Sequence, residues 1–194
     1  MTKKSRDLLG LPVISLDEGV KLGHVKGLVI DPPSKALAAL IVESSGLFRE
    51  QRFIPLAKIH SMGFDAVTIS RITNAEKGAS LPHIVQLWKD KVTLVGARVI
   101  SENGTVLGRV QDYTVDLDNG QIEGIELAES SLNRMLKGSH HISVHLIRTL
   151  GREAVVVSDN TAESMNRIDG GLEERMRQML PKKKAKPEEP TDEM

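Results

Sequence analysis

One ordered series of apolar segments and glycines occurs twice in this chain. Leu8-Leu9-Gly10 followed by Val13-Ile14-Ser15 returns as Leu94-Val95-Gly96 followed by Val99-Ile100-Ser101. Leu22-Gly23-His24-Val25 returns as Leu107-Gly108-Arg109-Val110, and Asp31 has its counterpart in Asp116. Ile54-Pro55-Leu56 and Ile59 match Ile142-Ser143-Val144 and Ile147, and Gly63-Phe64-Asp65-Ala66-Val67 matches Gly151-Arg152-Glu153-Ala154-Val155. The offset drifts from 86 to 85 to 88. That drift falls between apolar segments, where loops tolerate insertion. A chain of 194 residues could hold one large or two small domains. The duplication selects two small ones, each built from the same elements.

Those elements read mostly as strands. Val20 to Asp31 carries apolar Val20, Leu22, Leu28 and Ile30, with Val25 and Val29 out of phase and Gly23 and Gly27 interrupting. A glycine inside a strand often marks a bulge or bend. Asp112 stands where Gly27 stood, so Gly23 and Gly108 are the shared bend. A hairpin follows at Asp116-Leu117-Asp118-Asn119-Gly120, where Asn-Gly accepts positive φ. Asp31-Pro32-Pro33-Ser34-Lys35 makes a turn of another type at the equivalent place. Further strands are expected at Leu37–Glu43 and Ile122–Leu127, at Arg52–Leu56 and His141–Val144, and at Ala66–Ile69 and Ala154–Val157.

Each copy ends in a helical pattern. Pro82 suits an early helical position, and Ile84, Leu87 and Trp88 follow on one face at i, i+3, i+4. Leu172, Met176, Met179 and Leu180 repeat that pattern until Pro181 stops it. Each helix is expected to cover an open barrel end or to pack between the domains, with Trp88 helping to fill the junction. From Pro181 the chain carries almost no apolar residue and should be disordered.

Composition narrows the chemistry. Hydrophobic residues make up 40% but aromatics only 3%, so the core must be aliphatic. Lys+Arg and Asp+Glu are equal at 26, so net charge gives no long-range pull toward nucleic acid or an anionic membrane. With no cysteine, disulfides, thiolate nucleophiles and Cys-bound zinc are excluded. No apolar run reaches the roughly 20 residues of a spanning helix, and no secretory leader is evident. A cytoplasmic protein without a membrane span is the expectation.

No catalytic constellation emerges. There is no Gly-x-Ser-x-Gly elbow, phosphate loop or His-Glu-x-x-His pattern, and Asp169-Gly170-Gly171 reads as a break before the last helix. His141 and His145 are the weak metal candidates, since on one strand they would share a face with His140 opposite. Asp31 and Asp116 read as turn residues bonding their own backbone. Met176 and Met179 offer an adaptable surface for a partner. Lys182, Lys183, Lys184 and Lys186 could attract phosphate, although Glu188, Glu189, Asp192 and Glu193 neutralise the tail.

The apolar run with its glycine, the Leu-Gly-x-Val motif, the Asp-bounded hairpin and the closing Asp/Glu-Ala-Val strand resemble the PRC-barrel family, over residues 8–70 and 94–158. The family includes the soluble domain of the photosynthetic reaction-centre H subunit, a barrel of the ribosome-maturation factor RimM, and small stand-alone proteins, some in tandem. The chain is most similar to the tandem stand-alone kind. The resemblance implies a mainly β chain: two tandem small PRC-type β-barrels, each followed by a short helix, with a disordered C-terminal tail. The expected divisions are residues 1–92, 93–180 and the charged tail 181–194. The implied function is a non-enzymatic protein-interaction module without cofactor, binding a protein partner. Alternatives are an RNA- or ribosome-associated maturation factor, a small-molecule or metal sensor using the inter-barrel groove, and self-association into a homo-oligomer.

Overall fold

The structure is a computed structural model that describes residues 1–44, 51–128 and 140–161. The chain opens with β1 (Thr2–Lys4) and the single turn α1 (Ser5–Leu8). The first copy follows as β2 (Pro12–Ser15), β3 (Lys21–Asp31), β4 (Ala36–Ser44), β5 (Gln51–Pro55), β6 (Ile59–Met62) and β7 (Val67–Ile69). Then come α2 (Pro82–Asp90) and the second copy: β8 (Arg98–Ser101), β9 (Val106–Asp116), β10 (Ile122–Leu127), β11 (His141–Ser143), β12 (Ile147–Leu150) and β13 (Ala154–Val157). The sheets run β5-β4-β3-β2-β7-β6 and β11-β10-β9-β8-β13-β12, the same order twice. In both, the first and last strands of the repeat pair in parallel, β2 with β7 and β8 with β13. The protein is mainly β, with each sheet curled into a half-barrel.

Two bulges explain why strict alternation failed along β3. Val13 faces Gly23 but Ile14 faces Lys21, which leaves Leu22 unopposed; Val25 faces Val42 but Gly27 faces Ile41, which leaves Lys26 unopposed. Each extra residue shifts the phase by one. The inward series is therefore Leu22, Val25, Leu28 and Ile30. In β9 the unopposed residues are Leu107 and Gln111, and Leu107, Val110, Tyr113 and Val115 point inward at the same spacing. Gly23 and Gly108, both at positive φ, adjoin the first bulge of each pair.

The two copies meet through the β3–β4 and β9–β10 hairpins. Leu37 N–H donates to the Gly120 carbonyl at 2.9 Å, and Ile122 N–H donates to the Lys35 carbonyl at 3.0 Å. In the repeat alignment Leu37 matches Ile122 and Lys35 matches Gly120. Each copy thus gives the other the bond that it receives, as across a twofold axis. Ala36 and Gln121 form the bridge at its centre. Lys35 and Gly120 both adopt left-handed backbone, with φ of 51° and 73°. Asn119 does not, so the Asn-Gly hairpin is not the two-residue turn that requires positive φ at both central residues. Lys35 is held there by its ammonium, which donates to the Ile147 carbonyl across the junction.

The core is continuous across this junction. Buried Ile30, Leu37, Leu40 and Ile54 belong to the same apolar cluster as Leu117, Ile122, Ile125 and Ile142. Single units of this size have marginal cores, so merging them removes apolar surface that two separate barrels would leave wet.

The segment leading into the first copy crosses to the second. β1 pairs antiparallel with β9, Thr2 opposite Asp116 and Lys4 opposite Thr114, so the leader of copy one completes the sheet of copy two. The α2 helix, which ends copy one, lies on the outer face of that copy, where Ile84 packs on Val29, Ala39 and Phe53. It stays out of the shared core, although its C-terminal end reaches the junction, where the Arg152 Nε donates to the Asp90 carbonyl at 2.7 Å and Leu87 and Trp88 border the space between the copies. The reason is the outer face itself, which offers a small apolar patch separate from the main core. The expected helix at 172–180 and the tail from 181 lie outside the described residues.

A side chain at the axis should be costly. A Cβ on Gly120 would overlap the Leu56 side chain and sit on backbone that L residues rarely adopt. Gly120→Ala is expected to lower unfolding free energy by about 1–3 kcal/mol, read as a lower urea midpoint at unchanged slope.

Candidate functional site

The twofold relation leaves a groove of about 500 Å³ between the copies. Its lining follows the repeat. Leu9 and Val95 are equivalent, as are Lys26 and Gln111, Gly27 and Asp112, and Leu28 and Tyr113, and all eight line it. Bulging turns Lys26 and Gln111 out of the ladder on opposite sides of the axis. One wall is α2, through Leu87 and Trp88, and the inter-copy linker from Lys91 to Val95 closes the side. Lys91 ends the helix in left-handed conformation at φ 53°, its N–H bonded to the Trp88 carbonyl.

Three large apolar side chains in this groove remain open to solvent: Leu9 at 47%, Val95 at 48% and Trp88 at 43% exposure. Trp88 sets its edge against Phe53, ring centres 5.8 Å apart and 67° between planes. Isolated exposed apolar residues need no explanation, but a group of them in a concavity marks a contact site. The charged lining is Arg6, Lys26, Lys91 and Asp112.

Asp112 breaks the symmetry of the floor. It is 1% exposed where the first copy has glycine. Its Oδ1 accepts from the Ser5 hydroxyl at 2.5 Å and from the Tyr113 N–H at 2.8 Å. Its Oδ2 lies 3.3 Å from the Arg6 Nε, an ion pair without hydrogen-bond alignment. A buried carboxylate needs such partners, and two of them, Ser5 and Arg6, tie α1 to β9. Burial pushes the Tyr113 phenol well above its usual range, and Asp112 adds to the shift while a hydrogen bond with Ser5 opposes it.

A family model described as PRC-barrel domain matches residues 2–73 and matches again at residues 91–161. The chain belongs to the PRC-barrel family, in tandem. No curated protein matches it. PRC-barrel domains are commonly protein-interaction modules. The matched segments include β1 and α1, so the crossed leader falls within the PRC-barrel pattern.

The sequence candidates fall elsewhere. His141 is exposed on β11 with its ring over Gly124, while His145 is exposed on a 3-10 turn at Val144–Leu146. That turn ends the strand at Ser143, so the two histidines do not share a strand face. Among the described residues no three His, Cys, Asp or Glu side chains gather as a metal site, and no helix is long and apolar enough to cross a membrane. Asp31 and Asp116 act within their turns: the Ser34 hydroxyl donates to Asp31 and the Asp118 N–H to Asp116. That Asp118 N–H, with burial opposing, is the main cause holding the Asp116 carboxyl below its usual range. Met176, Met179, Lys182, Lys183, Lys184 and Lys186 lie outside the described residues. An inter-barrel groove and Trp88 at the junction were expected, but the rest of the lining escaped sequence reading because its walls come from segments far apart in the chain. A further signal was the substitution of Gly27 by Asp112 in an otherwise matched strand.

Two outcomes are expected. Asp112→Ala removes the buried acceptor of the Ser5 hydroxyl and the Tyr113 N–H and should destabilise by about 1–3 kcal/mol, measured by urea unfolding. Tyr113 is the sole tyrosine, so absorbance at alkaline pH reports it alone. Its folded pKa lies above the unfolded value of about 10. Its contribution to stability is therefore complete below pH ~10 and declines as pH rises beyond it. Tyrosinate should appear only together with loss of β circular dichroism; a titration near pH 10 in folded protein would contradict the burial.

Proposed function

We propose that this tandem PRC-barrel protein is a non-enzymatic interaction module whose protein partner docks in the groove between the copies. The observation that carries the reading is the cluster of Leu9, Trp88 and Val95, three exposed apolar side chains on one concave, partly cationic surface. A tryptophan beside aliphatic walls is the composition found at the energetic centre of protein interfaces. The groove floor is rigid, since it is made of strand and bulge backbone rather than loop, and a rigid site loses little entropy on binding. The alternative reading, an RNA- or ribosome-associated factor, draws on the family and on the lysine run at 182–186; the apolar groove favours a protein.

The test uses the full chain as bait in its host. Val95→Asp places a charge in the groove at a half-exposed position and should leave the melting temperature within a few degrees. Partners recovered by the wild type and lost by Val95→Asp support the reading. Identical recoveries by the two baits reject it.

A further inference from the structure

We propose that the docking element of the partner is an acidic amphipathic helix, its aliphatic side chains in the groove and its carboxylates on the rim. This rests on the groove being the docking surface, and it adds the chemistry of the occupant.

The charge of the lining decides the sign. Three cations, Arg6, Lys26 and Lys91, face one carboxylate, Asp112. Asp112 is buried beneath Arg6 and has almost no surface of its own to present. Lys26 is 57% exposed and pairs with Glu43 at 3.0 Å, whereas Lys91 is exposed and makes no ion pair among the described residues. A bound carboxylate at Lys91 would therefore displace no existing ion pair. The Lys91 backbone supports this role: its left-handed conformation ends α2 and turns the chain from the helix into the linker.

The apolar lining decides the rest. Leu28, Ile41, Leu87, Val92 and Val95 run along the groove beside Trp88. A trough of this size and lining suits side chains projecting from one helical face at i, i+3, i+4 and i+7. Bare phosphate or a highly charged strand would leave those walls unfilled. A basic helix would meet Lys91, which has no ion pair among the described residues, in a site partly shielded from water, where like charges repel more strongly than in bulk.

Trp88 is the sole tryptophan and lies in the groove, so its emission is the readout. The full chain is titrated with two synthetic helical peptides of identical leucine positions, one carrying glutamates on its flanks and the other lysines. The expected result is a saturable blue shift with the acidic peptide, at least about tenfold tighter than with the basic one. Lys91→Glu should weaken the acidic peptide by about tenfold and narrow or reverse the preference, with Lys91→Gln intermediate. Val95→Asp should abolish the shift for both peptides.

Other outcomes overturn the proposal in separable ways. Equal or tighter binding of the basic peptide refutes the acidic occupant while leaving the groove as the docking surface. Binding of both peptides unaffected by Val95→Asp refutes the groove as well. No shift with either peptide, together with a dimer in sedimentation that Val95→Asp dissociates, identifies a second copy of this chain as the occupant. No shift and no dimer refutes the helix. Circular dichroism melts of each variant separate lost binding from lost fold.

Discussion

The reciprocal pair of backbone bonds at the hairpin tips organises the molecule. Leu37 donates to Gly120 and Ile122 to Lys35, and both acceptors sit in left-handed backbone that aims their carbonyls across the axis. A small curled sheet cannot bury its apolar face alone. Joining two such sheets tip to tip lets Ile30, Leu37, Leu117 and Ile122 form one interior. The axis also sets the groove, because equivalent residues must face each other across it.

Much of this architecture was legible in the sequence. Glycines at matching places fixed the repeat, and alternation gave the strands, down to β10 at Ile122–Leu127 and β13 at Ala154–Val157. The out-of-phase Val25 and Val29 were puzzling only because a linear pattern cannot show a bulge. Once Leu22 and Lys26 are removed from the ladder, Val25 faces the core and Val29 faces α2.

The crossing of β1 and most of the groove lining were not legible. Nothing in Thr2-Lys3-Lys4 announces a strand, and its order depends on β9 edge groups that β8 leaves unpaired. Asp112 was visible as a departure from the repeat, but its meaning required Ser5 and Arg6, more than a hundred residues away. The copies were alike in what folds them and unlike in what lines the groove. The first has glycine where the second has a carboxylate, and the first carries the apolar patch on which α2 packs. Duplication supplied a symmetric frame, and divergence at a few positions gave it a polarity that two identical barrels would lack.

The crossed leader has a consequence for how the chain comes apart. Because β1 belongs to the second sheet and Arg152 of the second copy donates to the Asp90 carbonyl at the end of α2, peeling the copies apart strips a strand from one and a helix contact from the other. Neither half can melt in private. Their fates are tied by topology as well as by shared surface, so the duplicated gene encodes a single cooperative body rather than two beads on a string.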